Sequence, residues 1–380
     1  MKKRITFFAF AAALAFCYSC SNDETVASQA TSESNEISFR PLMNGVTRAT
    51  SLNLASLQAN GFYVTATYTS GHTAYFSDQC YKEEASNVWK PWTGSAYTHI
   101  YWPTGDDVLD FHAYAPSDAQ LVVSNANVAT LNGCPEYTVT PVPAAASQVD
   151  FIYATQTGKD QNDGSMPLTF THKESQIGVK LLNSDGSLKF TVSEIAICNI
   201  AQSGVFKNRD ASPTTATTMG WGDFGSVTSY SQTSLSITKD GVAEATDAGT
   251  TWILIPHALA NPTTDGQYAS SDNGAAYNGA YIKVKYKCQN KLNESVYYAG
   301  GAESWAEGIW PISTNSSATT WTPGYYYTYT IDLKGGGYYE TNQAEPSGAT
   351  LDRILNLNEI TFATVTVSDW TGPNNTNVGM

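Results

Sequence analysis

The side chains able to do acid–base or metal chemistry are scattered along this sequence. The five histidines are His72, His99, His112, His172 and His257, and no two stand three or four residues apart. A paired metal site on a helix, or an H-E-x-x-H zinc site, needs that spacing. His112 and His172 lie inside alternating apolar runs and read as structural histidines. Asp106 and Asp107 are adjacent, and neighbouring side chains of a strand face opposite ways. They read as turn residues rather than an acid–base pair. No phosphate-cradling glycine loop, dinucleotide fingerprint or nucleophile elbow occurs. No catalytic residue, cofactor or metal is therefore expected, and the chain is not expected to be an enzyme. A hydrolase whose site is assembled from distant loops remains a third reading. Trp89, Trp92, Tyr97, Tyr101 and Trp102 are close in sequence. Exposed rings of that kind stack on sugar faces, whereas buried ones fill the core of a small β domain.

Cysteine chemistry is more informative. Lys2, Lys3 and Arg4 precede an apolar run of twelve residues, 5–16. A spanning helix needs about 20 such residues, so the run fits the apolar part of a secretory signal. Small Ser19 precedes Cys20, whereas bulky Phe16 precedes Cys17. The segment resembles a bacterial lipoprotein signal, with cleavage before Cys20 and lipid attached to it. The family pattern places leucine or a similar residue where Cys17 stands. The alternative is an ordinary signal peptide cut near Ser19. Residues 20–36 hold no aromatic side chain and few apolar ones, and read as a flexible tether. Four cysteines remain: Cys80, Cys134, Cys198 and Cys288. An exported chain with an even count allows disulfides, such as Cys80–Cys134 and Cys198–Cys288 within each half. Four buried free thiols are the alternative.

Composition bounds the rest. Charged residues make up 14% of the chain, and the net charge is −14. Losing Lys2, Lys3 and Arg4 with the signal takes this to −17. Such a chain repels phosphate backbones, so no nucleic-acid partner is expected. Apolar residues alternate at period two. In residues 281–287, Ile282, Val284 and Tyr286 share one face while Lys283, Lys285 and Lys287 share the other. The same pattern runs through 62–68, 108–115, 168–172, 177–181 and 325–333. Helix signals are few: Leu54 and Leu57 suggest one short helix ending at Gly61, and Leu351, Ile354 and Leu355 have helical spacing over barely two turns. Many short strands between Gly-, Asn- and Ser-rich turns indicate an all-β chain of two tandem sandwiches. The polar segment 155–167 is the expected linker, giving sandwiches over 37–160 and 161–380 after the signal (1–19) and tether (20–36). Near the C-terminus the phase breaks: Ile360 and Phe362 share one face, Val365 and Val367 the other. A bulge or a crossing between sheets would reconcile them.

Several segments together resemble one family, the fimbrillins, which are subunits of the Bacteroidales type V pilus and related surface lipoproteins. They are Gly61-Phe62-Tyr63-Val64-Thr65-Ala66, Tyr101-Trp102-Pro103, Phe111-His112-Ala113-Tyr114-Ala115-Pro116, Asp150-Phe151-Ile152-Tyr153-Ala154, Leu168-Thr169-Phe170-Thr171-His172, Trp321-Thr322-Pro323-Gly324-Tyr325-Tyr326-Tyr327-Thr328-Tyr329-Thr330 and Val365-Thr366-Val367-Ser368-Asp369-Trp370. The resemblance implies two transthyretin-like β-sandwiches. It implies a lipidated precursor delivered to the outer membrane and cell surface, held to the membrane through lipid only. It further implies trimming by an arginine-specific protease, which removes the first strand and opens a groove for a strand of another subunit. Thr47-Arg48-Ala49 resembles the cleavage site; Arg40 is a poorer one because Pro41 follows it. Ile37 and Phe39 would belong to the displaced first strand. Ile360, Phe362, Val365 and Val367 would belong to the donor. The expected function is a structural or adhesive fimbrial subunit, with other fimbrial subunits and a host or glycan ligand as partners. The alternative is a surface-anchored glycan-binding lipoprotein.

Overall fold

The computed structural model describes residues 35–43, 52–210, 218–259, 279–294, 305–312, 318–335, 338–339 and 362–370. Cys20, Arg48, Ala49 and Ile360 lie outside the described residues. Successive side chains of a strand point to opposite faces, so a period-two stretch with one apolar face buries it by pairing in a sheet. The alternating stretches named above all form strands.

The first nine strands are β1 Ser38–Met43, β2 Phe62–Tyr68, β3 Ala74–Ala85, β4 Val88–Pro91, β5 Leu109–Ala115, β6 Leu121–Ser124, β7 Glu136–Val139, β8 Ile152–Lys159 and β9 Ser165–His172. Seven of them close into a barrel in the order β1-β4-β3-β2-β5-β8-β9. Its interior holds Phe39, Phe62, Tyr81, Phe111, Leu168 and Phe170, among others, all at most 1% exposed. The chain is all-β as expected, but the first unit is a closed barrel rather than an open sandwich. Closure comes from β1, which lies parallel beside β9 and meets β4 on its other side. Without β1 the remaining six strands would form an open sheet.

The one α-helix of the described residues, α1 Leu54–Asn60, caps this barrel. Asn53 starts it by accepting the Ser56 N–H at 2.9 Å, as an N-cap should. Gly61 ends it at φ +84°, and a Cβ there would stand 2.6 Å from the Tyr81 carbonyl. Both the backbone angle and the close approach call for glycine. Leu57 is buried, but Leu54 is 40% exposed, so only half of the expected apolar side is used.

The remaining strands are β10 Ser175–Asn183, β11 Leu188–Ala201, β12 Gly204–Asn208, β13 Met219–Gly222, β14 Val227–Gln232, β15 Ile237–Asp240, β16 Ala243–Asp247, β17 Trp252–Leu254, β18 Tyr281–Asn290, β19 Ala306–Pro311, β20 Tyr325–Asp332, β21 Tyr338–Tyr339 and β22 Thr364–Asp369. One sheet runs β16-β10-β20-β22, with β17 also paired to β10. A second runs β14-β11-β18-β19-β21, with β15 also paired to β11. Ile177, Tyr329 and Ile331 from the first sheet and Val192, Ile282 and Tyr286 from the second share one apolar core. This unit is a sandwich.

Two expectations need correction. The polar segment 155–167 is not a linker; it is the β8–β9 hairpin of the barrel. The outer half of β8 is largely exposed, so it needs no apolar side chains and reads as loop. The crossover to the sandwich is Lys173–Glu174. The two halves are also joined by a shared sheet, β13-β12-β7-β6, whose β7–β12 pairing spans the junction. The second correction concerns Cys198 and Cys288. They lie on the paired strands β11 and β18, opposite Tyr281 and Phe190 respectively. Eight residues of strand, about 26 Å at 3.3 Å each, separate them. A disulfide needs Cα atoms within about 7 Å. All four cysteines are buried thiols, and burial pushes the Cys288 thiol up to about 12.

Candidate assembly site

The seam closed by β1 is the best-defined candidate site. Ile37, Phe39 and Pro41 point into the barrel, while Leu42 is 41% exposed. Parallel pairing with β9 runs over six residues, from Ser38 opposite Ser165 to Met43 opposite Phe170. Pairing with β4 is a single position, Phe39 opposite Trp89. The Phe39 ring meets Tyr81 edge-on at 4.7 Å and Phe111 at 5.3 Å. Ahead of the strand, Ile37 N–H donates to the Ile100 carbonyl at 2.8 Å. Glu36 lies 3.0 Å from His99 Nδ1 and is bridged to Tyr101. The tether expected over 20–36 thus has its last residue fixed. Full burial of Ile37 and Phe39 contributes about 1.5–3 kcal/mol each.

The C-terminal strand β22 is an edge strand paired antiparallel to β20, from Tyr325 opposite Asp369 to Thr330 opposite Thr364. It is pinned at its ends. Phe362 packs on Tyr329 with ring centroids 5.1 Å apart, and Trp370 stacks on His172 at 4.4 Å. Between them Val367 is 39% exposed and Val365 half-buried. A bend at Ala363 explains the phase break: Phe362 and Val365 both reach the same core.

A buried polar clasp links the start of the segment before α1 to the end of β22. Asp150, 2% exposed, accepts from His172 Nδ1 at 2.9 Å and from the Leu52 N–H at 2.9 Å. A carboxylate only accepts, so Nδ1 carries the proton. His172 thereby supports the Trp370 ring on one side and, through Asp150, the backbone four residues past Arg48 on the other. Glu174 lies beside them, fully buried, accepting from the Phe151 N–H at 2.8 Å. Burial, reinforced by the neighbouring Asp150, pushes its carboxyl well above the ordinary range, so it is held neutral.

The fimbrillin-like family matches residues 47–370. The chain belongs to that family. None of the curated proteins matches it. Among solved structures, a fimbrial protein from Bacteroides vulgatus is 17% identical, covers 88% of this chain and 99% of its own, and has a TM-score of 0.51. Candidate cell adhesion proteins from Bacteroides uniformis and Bacteroides ovatus are 15% and 14% identical. They cover 88% and 89% of this chain and 98% and 99% of their own, with TM-scores of 0.41 and 0.43. The first of these likenesses supports the all-β fold.

The other sequence-chosen residues of this fimbrillin-like chain are dispersed. His257 Nδ1 donates to the Ile255 carbonyl at 2.7 Å, a structural role. Asp106 and Asp107 are exposed turn residues. Trp89 and Trp102 are core residues, 3% and 4% exposed, whereas Trp92 and Tyr97 form a half-buried pair 4.8 Å apart and Tyr101 is exposed. Sequence reading missed Asp150, Glu174 and Trp370 as one cluster. Asp150 between Val149 and Phe151 is a carboxylate amid apolar neighbours, but Glu174 and Trp370 stand among polar residues and gave no such signal.

His112 is buried beside Tyr153, with Nδ1 2.6 Å from its hydroxyl and the rings stacked 6.1 Å apart. Burial pushes it down to about 4 from the ordinary 6.5. The folded state therefore binds this proton less readily than the unfolded one. The stabilisation is complete above pH 6.5 and is lost as pH falls towards 4. A gap of that size is worth roughly 3 kcal/mol. Glu174 acts with the opposite sign, so the comparison must be made between variants. Chemical denaturation of the native chain and of His112→Gln across pH 4–7 is expected to show the steeper acid loss in the native chain alone.

Proposed function

We propose that this chain is a structural or adhesive subunit of a surface fimbria, exported as a precursor lipidated at Cys20, trimmed after Arg48 and assembled by strand exchange. The carrying observation is the position of β1. It completes a barrel, fills the interior with Ile37 and Phe39, and is separated from α1 only by the segment that contains Arg48. Cutting there leaves β1 held by non-covalent contacts alone. Its departure would bare the β9 edge together with an apolar slot, and open edges of that kind recruit strands. Family membership favours the reading, and the fimbrial protein of similar fold accords with it. No enzymatic activity is proposed.

The lipid then serves delivery. Two or more acyl chains hold a precursor firmly, and a cut after Arg48 parts Cys20 from the body. An arginine-specific protease acting on the full chain is expected to yield a product beginning at Ala49, seen by mass spectrometry. That product is expected to form multimers on size-exclusion chromatography while the uncut chain does not. A trimmed product that stays monomeric at high concentration would refute the assembly role.

A further inference from the structure

Two of the clustered aromatic residues do not serve the barrel core. Trp89 and Pro91 are buried, whereas Lys90 and Trp92 are half-buried and share the outer face. Trp92 and its partner Tyr97 belong to none of the apolar clusters of the described residues. Both are nevertheless held in place. Trp92 N–H donates to the Cys80 carbonyl at 2.8 Å, and the Trp92 carbonyl accepts from Gln79 Nε2 at 3.2 Å. The Tyr97 hydroxyl donates to the Glu83 carbonyl at 2.6 Å. Two lysines flank the pair. Lys82 and Lys90 stand directly opposite each other in the β3–β4 ladder, an arrangement in which like charges destabilise. Glu84 relieves Lys90 at 2.8 Å. Lys82 has no carboxylate of the described residues within ion-pair distance, although the chain holds 34 acids to 20 basic residues. Its Nζ lies 5.6 Å from the centre of the Trp92 ring instead. We propose that this face binds an acidic saccharide: Trp92 stacks on the apolar face of one sugar ring, and Lys82, aided by Lys90, holds its carboxylate.

The ligand class follows from the rings and the charges. A sugar ring has a C–H face that packs on an indole and polar edges that need hydrogen bonds, and an aromatic side chain with a polar neighbour suits both. Rings already fixed by their backbone bonds lose little freedom when a ligand arrives. A carboxylate beside Lys82 gains a charge-assisted bond and relieves the repulsion between the two lysines. A like-charge pair kept on a strand surface breaks a local rule, and such breaks gather at functional sites. The number of charges is bounded as well. The acidic chain as a whole repels polyanions, so a saccharide with a single carboxylate suits the site better than a sulfated polymer. This inference deepens the adhesive half of the proposed function by naming a ligand class. It does not depend on strand exchange.

The test titrates the full, untrimmed chain calorimetrically with sialyllactose, galacturonate, lactose and a heparin fragment. Sialyllactose, galacturonate or both are expected to bind about tenfold more tightly than lactose, the worth of one hydrogen bond to a charged group. Which of the two prevails identifies the source of the carboxylate. Trp92→Ala is expected to weaken that binding about tenfold, and Trp92→Phe, which keeps a ring, to weaken it less. Lys82→Gln is expected to abolish the preference over lactose while raising the urea midpoint, because it removes the like-charge pair. A lysine with a purely structural role would not move those two readouts in opposite senses. Lys82→Gln alters only a surface charge, so it decides the matter even if Trp92→Ala fails to fold. The proposal is overturned if neither acidic saccharide exceeds lactose, if the preference survives Lys82→Gln, or if the heparin fragment binds most tightly. Each of those results leaves trimming and multimer formation as they were. Conversely, a trimmed chain that stays monomeric yet keeps the saccharide preference refutes assembly alone.

Discussion

Replacing Phe39 by alanine in the untrimmed chain is expected to destabilise the barrel by about 3–5 kcal/mol. Truncating a fully buried phenylalanine loses its transfer free energy and leaves a cavity. Here the cavity would open among Tyr81, Phe62 and Phe111, which are rigidly placed on three other strands. The surroundings therefore have little means of collapsing into it. Leu42 is the control on the same strand: it is 41% exposed, and Leu42→Ala is expected to change stability by no more than about 0.5 kcal/mol. Urea unfolding followed by tryptophan fluorescence measures both. The larger effect is kinetic. With its anchor gone, β1 is held mainly by its ladder to β9, so the untrimmed Phe39→Ala chain is expected to multimerise slowly without protease. Equal effects from Phe39→Ala and Leu42→Ala would mean that the inward face of β1 does not close the barrel.

In the strand exchange proposed above, the way β1 is attached would decide where the seam opens. Six registered positions join it to β9 and one joins it to β4. The β4 side is thus the weaker, and an incoming strand would gain its first foothold there. Glu36 and His99 lie at that end of the strand, beside the Ile37 N–H bond to Ile100. An exposed hydrogen bond of this kind adds little stability but helps to set register.

Much of this arrangement was legible in the sequence where one face of a strand is buried and the other solvated. Ile282, Val284 and Tyr286 are fully buried, and Lys283 and Lys285 face acidic partners on the outer surface, as the alternation predicts. Ile37 and Phe39 were legible for the same reason. The β5 strand was half legible: Leu109, Phe111 and Ala113 face the barrel, but Asp110, His112 and Tyr114 are buried too. Alternation cannot reveal a polar face that another sheet covers. The barrel itself was hidden because parallel pairing of β1 with β9 joins residues more than 120 positions apart, and nothing local encodes it. The β8–β9 hairpin was misread for the opposite reason. Polar composition marks exposure, and an exposed hairpin and a linker share it.

Asp150→Ala is expected to cost about 3–5 kcal/mol and to loosen two places at once. The carboxylate receives the His172 Nδ1–H and the Leu52 N–H, both at 2.9 Å in a setting where Asp150 is 2% exposed. Removing it strands two donors away from water, which costs more than the net worth of the bonds themselves. Asp150→Asn, whose amide oxygen still accepts one bond, is expected to lose less. The position of the clasp makes the pattern diagnostic. Leu52 lies four residues past Arg48, and His172 carries the ring of Trp370 at the end of β22. Trp370 N–H donates to Gly324 and Gly324 N–H donates to Glu174, so its backbone is tied to the same junction. Hydrogen exchange is therefore expected to rise at residues 52–57 and at 362–370 together, although more than 300 residues separate them. Exchange that rises near Leu52 alone would show that His172 keeps its place without Asp150, and that the two segments are not joined through this pair.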